Sequence, residues 1–256
     1  MRIVRYQSGS EQPKFGWLLD NKLGLIEGDI FGQFGRLEAE INLSDVRLLA
    51  PVLPTKILCI GRNYIAHAKE HEQDVPNVPL LFLKPPSAVI GPNDTIILPP
   101  QSQQVEHEAE LVAVIGKRGR WIPPEEAHTF ILGYTIGNDV TARDLQRRDD
   151  QWTRAKGFDT FCPIGPWIET EYDPADALIT CYVNDDMRQM ASTHEMVFNV
   201  RQLIAFASSV MTLEPGDLLF TGTPSGVSPL QDGDRVKIEI EGIGALENPV
   251  SKEQPH

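Results

Sequence analysis

The sequence holds no run of about 18 apolar residues, so no transmembrane helix is expected. It also lacks a long basic run, and 23 Lys and Arg against 36 Asp and Glu leave a formal charge of −13. Nucleic acid and anionic membrane surfaces are therefore not expected as partners. Cysteine is scarce: Cys59, Cys162 and Cys181 lie far apart, each in an apolar context, which fits buried thiols of a cytosolic protein. No Cys and His cluster has zinc spacing. The opening Met1-Arg2-Ile3-Val4-Arg5-Tyr6 reads as a strand rather than the apolar core of a signal peptide, and a cytoplasmic location is expected. No internal repeat or low-complexity tract is present.

What is abundant is Gly and Pro, 20 of each, which suggests many short strands and turns rather than a helical bundle. At 256 residues the chain makes one large domain, or a core with a small appendage. Phe15-Gly16-Trp17-Leu18-Leu19 and Lys22-Leu23-Gly24-Leu25-Ile26 flank Asp20-Asn21 as a hairpin. Pro51 and Pro54 then mark the exit into a buried strand at Lys56-Ile57-Leu58-Cys59-Ile60. A boundary there separates residues 1–52, a small N-terminal domain, from residues 53–256. Further on, Asn199 caps a helix with Val200, Leu203, Ile204, Ala207, Val210 and Met211 at helical spacing.

The most informative run is residues 105–115, Val-Glu-His-Glu-Ala-Glu-Leu-Val-Ala-Val-Ile. On a strand Glu106, Glu108 and Glu110 share a face with Val112 and Val114. The opposite face is also apolar toward its end, as in a strand covered on both sides. A lone ionised Glu there costs several kcal/mol, so a divalent cation or an arginine partner must offset it.

Four other places carry chemistry. After Gly61-Arg62-Asn63-Tyr64, a helical stretch through His71 and Glu72 puts His67 and Glu70 on one face, either as a lid acid/base pair or as an ordinary pair on an exposed turn. Lys84 ends an apolar strand, as a surface residue or a carboxylate contact. Ile131-Leu132-Gly133-Tyr134-Thr135-Ile136-Gly137 is a strand that delivers Asp139 to a helix start, where Thr141-Ala142-Arg143-Asp144 has the pattern of a capping box. Residues 151–166 are loop-like yet apolar, so Lys156 either meets an anionic partner or packs its stem while its head reaches water. Thr221-Gly222-Thr223-Pro224-Ser225-Gly226 is a turn whose amides could hold an oxyanion, although a tight turn alone explains the glycines.

Glu108, Glu110 and Asp139 offer only oxygen, which favours Mg²⁺ or Mn²⁺, with Ca²⁺ ranked below them. A glycosidase pair is a poorer fit, because Glu108 and Glu110 share one strand instead of flanking a sugar. A non-catalytic binding module would leave the buried carboxylates and Lys156 without a purpose.

The strings Gly61-Arg62-Asn63-Tyr64, Phe82-Leu83-Lys84-Pro85, Glu108-Ala109-Glu110-Leu111, Asn138-Asp139-Val140-Thr141-Ala142-Arg143-Asp144, Ala155-Lys156-Gly157-Phe158-Asp159 and Thr221-Gly222-Thr223-Pro224 occur in one order. Together, over roughly residues 55–250, they resemble the fumarylacetoacetate hydrolase family, its short bacterial, acylpyruvase-like branch in particular. That resemblance implies an α+β, predominantly β fold: a mixed β-sandwich or β-roll core, few helices and a small N-terminal α/β appendage. It implies a homodimer with Mg²⁺ or Mn²⁺ on Glu108, Glu110 and Asp139, and catalytic roles for His67, Glu70 and Lys156. Substrate contacts fall on Lys84, Gln146, Thr223 and Arg62. The implied activity is hydrolysis of a C–C bond in a small anionic 2-oxo acid or diacid. The alternatives are isomerisation of a hydroxymuconate-type diacid and decarboxylation of oxaloacetate.

Overall fold

The computed structural model describes residues 1–70 and 74–254. His71 and Glu72 of the expected lid stretch, and the last two residues, lie outside the described residues. Strands dominate, in sheets of 12, five and two strands. In the largest sheet Ala109–Ile115 is flanked by Ile131–Asn138 and Leu218–Phe220, both antiparallel to it. Beyond Leu218–Phe220 come Ile57–Gly61, parallel, and then Leu80–Lys84 at the edge.

Every residue of Ala109–Ile115 is buried. Its two faces feed different cores: Leu111, Ala113 and Ile115 pack with Ile136, Leu203 and Ile238, while Val112 and Val114 pack with Ile57, Cys59, Ile164 and Phe220. This double cover is what the run of apolar residues on both faces predicts. Helix Val200–Val210 is capped by Asn199, whose side chain accepts from the Gln202 amide, and it buries Val200, Leu203, Ile204 and Ala207. The Val, Leu and Ile side chains among these each contribute about 1.5–3 kcal/mol on burial, and Ala207 less. No described helix is long and apolar enough to cross a membrane.

The first 52 residues form strands and one 3₁₀ turn, with no α-helix, so this part is all-β where an α/β appendage is expected. The Lys14–Leu19 and Lys22–Gly28 hairpin turns at Asp20, whose φ is 51°. Strand Arg2–Gln7 pairs with Cys162–Glu169, which joins the N-terminal strands to the large sheet. The three cysteines are free and buried, as their apolar contexts predict.

Candidate active site and metal centre

Residues 105–115 do not form one strand. Val105–Glu106 pairs with Thr141–Ala142, and a separate strand begins at Ala109. At the break the Glu108 amide donates to Asn138 Oδ1 at 2.9 Å, and the Asp139 amide donates to the Glu108 carbonyl at 2.9 Å. These bonds draw the end of Ile131–Asn138 against the start of the acidic strand. Glu108, Glu110 and Asp139, all buried, thereby bring carboxylate oxygens within 4.8 Å of one another.

Buried cations surround the group. Lys156 Nζ lies 2.9 Å from Glu108 Oε2 and 2.7 Å from Asp139 Oδ2. Arg143 forks between Glu108 Oε1 at 2.6 Å and Glu106 Oε2 at 2.8 Å, and it donates to Gln146 Oε1 at 2.6 Å. Lys84 Nζ donates to Asp139 Oδ1 at 2.6 Å and to the Val140 carbonyl at 3.1 Å. Lys84 is thus buried behind Asp139, where it braces that carboxylate, and it is not among the side chains that line the cavity described below. Thr141 does not cap a helix. Its hydroxyl reaches Glu108 and the Asp139 carbonyl, and the helix starts after Ala142 without a side-chain cap.

The charges do not balance. Four buried carboxylates, Glu106, Glu108, Glu110 and Asp139, face three buried cations, Lys84, Arg143 and Lys156. Glu110 is the odd one: its side chain accepts from the Gly222 amide at 2.6 Å, and no Lys, Arg or His reaches it in an ion pair among the described residues. Burial, then the charges of Asp139 and Glu108, push the Glu110 carboxyl well above its usual range. Burial also opposes ionisation of Glu108, but Lys156 and Arg143 overcome it and hold that carboxyl below its usual range. Burial disfavours the Lys156 ammonium, and Asp139 and Glu108 more than restore it. An uncompensated charge among hard oxygen donors is the arrangement a divalent cation fits.

Beside the centre is a cavity of about 310 Å³. His67, Lys156, Arg62, Gln146 and Thr223 line it together with Glu108. Helix Ile65–Glu70 carries His67, whose Nδ1 lies 3.3 Å from Glu70 Oε2. Glu70 in turn accepts from the Gly226 amide, at 3.0 and 3.2 Å to its two oxygens. The glycine amides of the 221–226 turn are therefore engaged by the chain's own carboxylates, Glu110 and Glu70. Both positions require glycine: φ is +96° at Gly222 and +99° at Gly226, and a Cβ at Gly226 would sit 2.0 Å from the Arg188 carbonyl.

Gln189 holds this turn down, and nothing in its local sequence marks it. Its Nε2 donates to Thr223 Oγ1 at 2.8 Å and to the Pro224 carbonyl at 2.7 Å. Its Oε1 accepts from the Ala109 amide at 3.1 Å and lies 2.9 Å from His107 Nδ1. The second nitrogen of His107 meets Ser228 Oγ at 2.9 Å. Burial pushes the His107 imidazole down to about 4, so the ring is neutral and can donate at one nitrogen and accept at the other.

Against known proteins, the family description "Fumarylacetoacetate (FAA) hydrolase C-terminal" matches residues 56–251. The description "Rv2993c-like, N-terminal" matches residues 1–51. Protein Rv2993c of Mycobacterium tuberculosis is 53% identical over 81% of this chain and 80% of its own. Oxaloacetate tautomerase FAHD2A, mitochondrial, of Bos taurus is 45% identical over 81% of this chain and 70% of its own. Among solved structures, 2-hydroxyhepta-2,4-diene-1,7-dioate isomerase from Mycobacterium marinum superposes with a TM-score of 0.92 at 45% identity, covering 100% of both chains. Maleylpyruvate hydrolase from Sphingobium sp. SYK-6, in complex with manganese(II) and pyruvate, gives 0.80 at 33% identity, covering 99% of this chain and 100% of that one.

Proposed function

The chain belongs to the fumarylacetoacetate hydrolase family, and from that premise we propose that it is a divalent-metal-dependent enzyme that hydrolyses a C–C bond in a 2-oxo acid such as an acylpyruvate. The chemistry is assigned to residues 53–256. The observation that carries the reading is the His67–Glu70 pair beside a buried acidic centre with one carboxylate uncompensated. Glu108, Glu110 and Asp139 would hold Mg²⁺ or Mn²⁺, whose contribution is to neutralise and polarise the 2-oxo and carboxylate oxygens of the substrate.

The rest falls to the chain's own groups. Glu70 orients the His67 ring through Nδ1. His67 takes a proton from water as the water oxygen adds to the distal carbonyl carbon. The C–C bond then breaks, its electron pair passes to the methylene carbon, and Lys156 stabilises the enolate oxygen. Return of the proton from His67 to that carbon releases a carboxylic acid and a 2-oxo acid, so one water is consumed and all atoms are placed. Gln146, held by Arg143, and Thr223, held by Gln189, offer polar contacts from the cavity wall.

Keto–enol tautomerisation or double-bond isomerisation of a 2-oxo diacid is the second reading, favoured by the relatives that bear those names. It would use the same proton transfer without water attack. The test is turnover of an acylpyruvate, oxaloacetate and a hydroxymuconate-type diacid with Mn²⁺ and with EDTA. Pyruvate release from the acylpyruvate supports hydrolysis. Conversion of only the diacids with no bond broken replaces it with isomerisation.

A further inference from the structure

We infer that Gln189, backed by His107, is a positioning residue that pins the Thr223 hydroxyl as a hydrogen-bond acceptor toward the cavity. The group met there is then a proton-bearing oxygen, such as an alcohol, an enol or the hydroxyl of a water adduct, and not a carboxylate or ketone oxygen. The inference deepens the hydrolytic reading and rests on it: the acidic centre takes the 2-oxo acid end, and water adds at the fourth carbon of an acylpyruvate.

Proton direction along this network is set by groups that can act only one way. The Ala109 amide can only donate, and the Pro224 carbonyl can only accept. They lie 3.1 Å from Gln189 Oε1 and 2.7 Å from Gln189 Nε2, so the amide has a single orientation. Oε1 also lies 2.9 Å from His107 Nδ1, which must therefore carry the ring proton. With the ring neutral, His107 Nε2 accepts, and Ser228 Oγ donates to it at 2.9 Å. The second Nε2 proton of Gln189 goes to Thr223 Oγ1 at 2.8 Å and fills one of its lone pairs. The single Thr223 proton goes to the Ala109 carbonyl at 2.9 Å. A hydroxyl has one proton and two lone pairs, so Thr223 keeps one lone pair and nothing else.

Thr223 lines the cavity with His67 and Gln146. Turning its proton outward would strip the Ala109 carbonyl of that bond within a wholly buried strand, which is costly. The adjacent backbone is held as well: the Gly222 amide donates to Glu110, and Asn63 Nδ2 donates to the Thr221 carbonyl at 2.7 Å. Gln146 has the opposite polarity. Arg143 occupies its Oε1 at 2.6 Å, which leaves its amide protons for the cavity. The cavity therefore offers protons at Gln146 and a lone pair at Thr223.

The test measures ligand binding to the Mn²⁺-loaded full-length protein by calorimetry. 4-Hydroxy-2-oxopentanoate is compared with 4-methyl-2-oxopentanoate, which exchanges the hydroxyl for a methyl group. 4-Methoxy-2-oxopentanoate is compared with 4-methyl-2-oxohexanoate, which exchanges an ether oxygen, an acceptor only, for a methylene. The wild type should bind the alcohol roughly 2–10-fold more tightly than its methyl counterpart, the value of one hydrogen bond, and should gain nothing from the ether. Thr223→Val should abolish the preference for the alcohol, and Thr223→Ser should keep it. Gln189→Met should narrow it, and should change it no further when added to Thr223→Val. The Mn²⁺-induced Tm shift should survive in every variant, which a general structural loss would not allow. Equal binding of alcohol and methyl compound, a gain from the ether, or a preference that survives Thr223→Val overturns the acceptor while leaving the acidic centre standing. A preference untouched by Gln189→Met overturns the positioning role. Failure of all four ligands to bind overturns the reading of the centre, and this inference with it.

Discussion

Replacing Glu110 by Gln should make the metal-free protein more stable while removing its response to metal. Glu110 is fully buried, beside Asp139 and Glu108, and its side chain accepts from the Gly222 amide. The glutamine oxygen can accept the same bond without the charge. A carboxyl whose folded value is raised destabilises the fold above its unfolded value, and the penalty grows as pH rises toward the folded value. It cannot exceed the cost of protonating the group instead. From the ordinary 4.5 to pH 7 that bound is about 3 kcal/mol, at 1.36 kcal/mol per pH unit. The variant should therefore gain about 1–3 kcal/mol in EDTA, or roughly 3–9 °C in Tm for a chain of this size. Wild-type protein at a Mn²⁺ concentration of about 100 Kd should gain about 2.7 kcal/mol by mass action, and the variant nothing. Thermal melts of both proteins in EDTA and in Mn²⁺ decide it. A variant that melts lower in EDTA and still shifts with Mn²⁺ would refute the reasoning.

His67→Ala should lower hydrolysis by about 10²–10⁴-fold and leave the Mn²⁺-induced Tm shift intact; steady-state kinetics beside the same melts check both halves. Gln189→Leu removes the partners of the Ala109 amide and the Pro224 carbonyl in the interior. At about 1–3 kcal/mol for each stranded group, urea denaturation should register a loss of about 2–5 kcal/mol, and no loss would deny the clasp. Gly226→Ala meets the Arg188 carbonyl at 2.0 Å from a left-handed backbone. It should reduce kcat through the displaced Glu70 contact more than it weakens Mn²⁺ binding, and a parallel fall in both would assign the turn to the metal centre itself.

Legibility in the sequence followed the range of the forces involved. The Asn199 cap and the helix behind it depend on neighbours three and four residues away, and both are readable. The double-sided burial of Ala109–Ile115 was legible from its apolar pattern. Its interruption before Ala109 was not, because the bonds that cause it come from Asn138 and Asp139, about 30 residues on. The same long-range pull explains Thr141. The local pattern suggests a cap, but the buried Glu108 carboxylate offers its hydroxyl a partner from another strand. Lys84 was readable as a lysine ending an apolar strand, yet only the packing of that strand behind Asp139 makes it a brace. Gln189 had no local signal, since all its partners lie at least 34 residues away.

The most direct test of the central claim is the rate of pyruvate release from an acylpyruvate, measured with Mn²⁺ and again after EDTA treatment. The account predicts turnover with Mn²⁺, its loss in EDTA, and its return when Mn²⁺ is restored. Undiminished turnover in EDTA would contradict the metal-dependent centre. Tight Mn²⁺ binding with no pyruvate released would contradict the hydrolytic assignment.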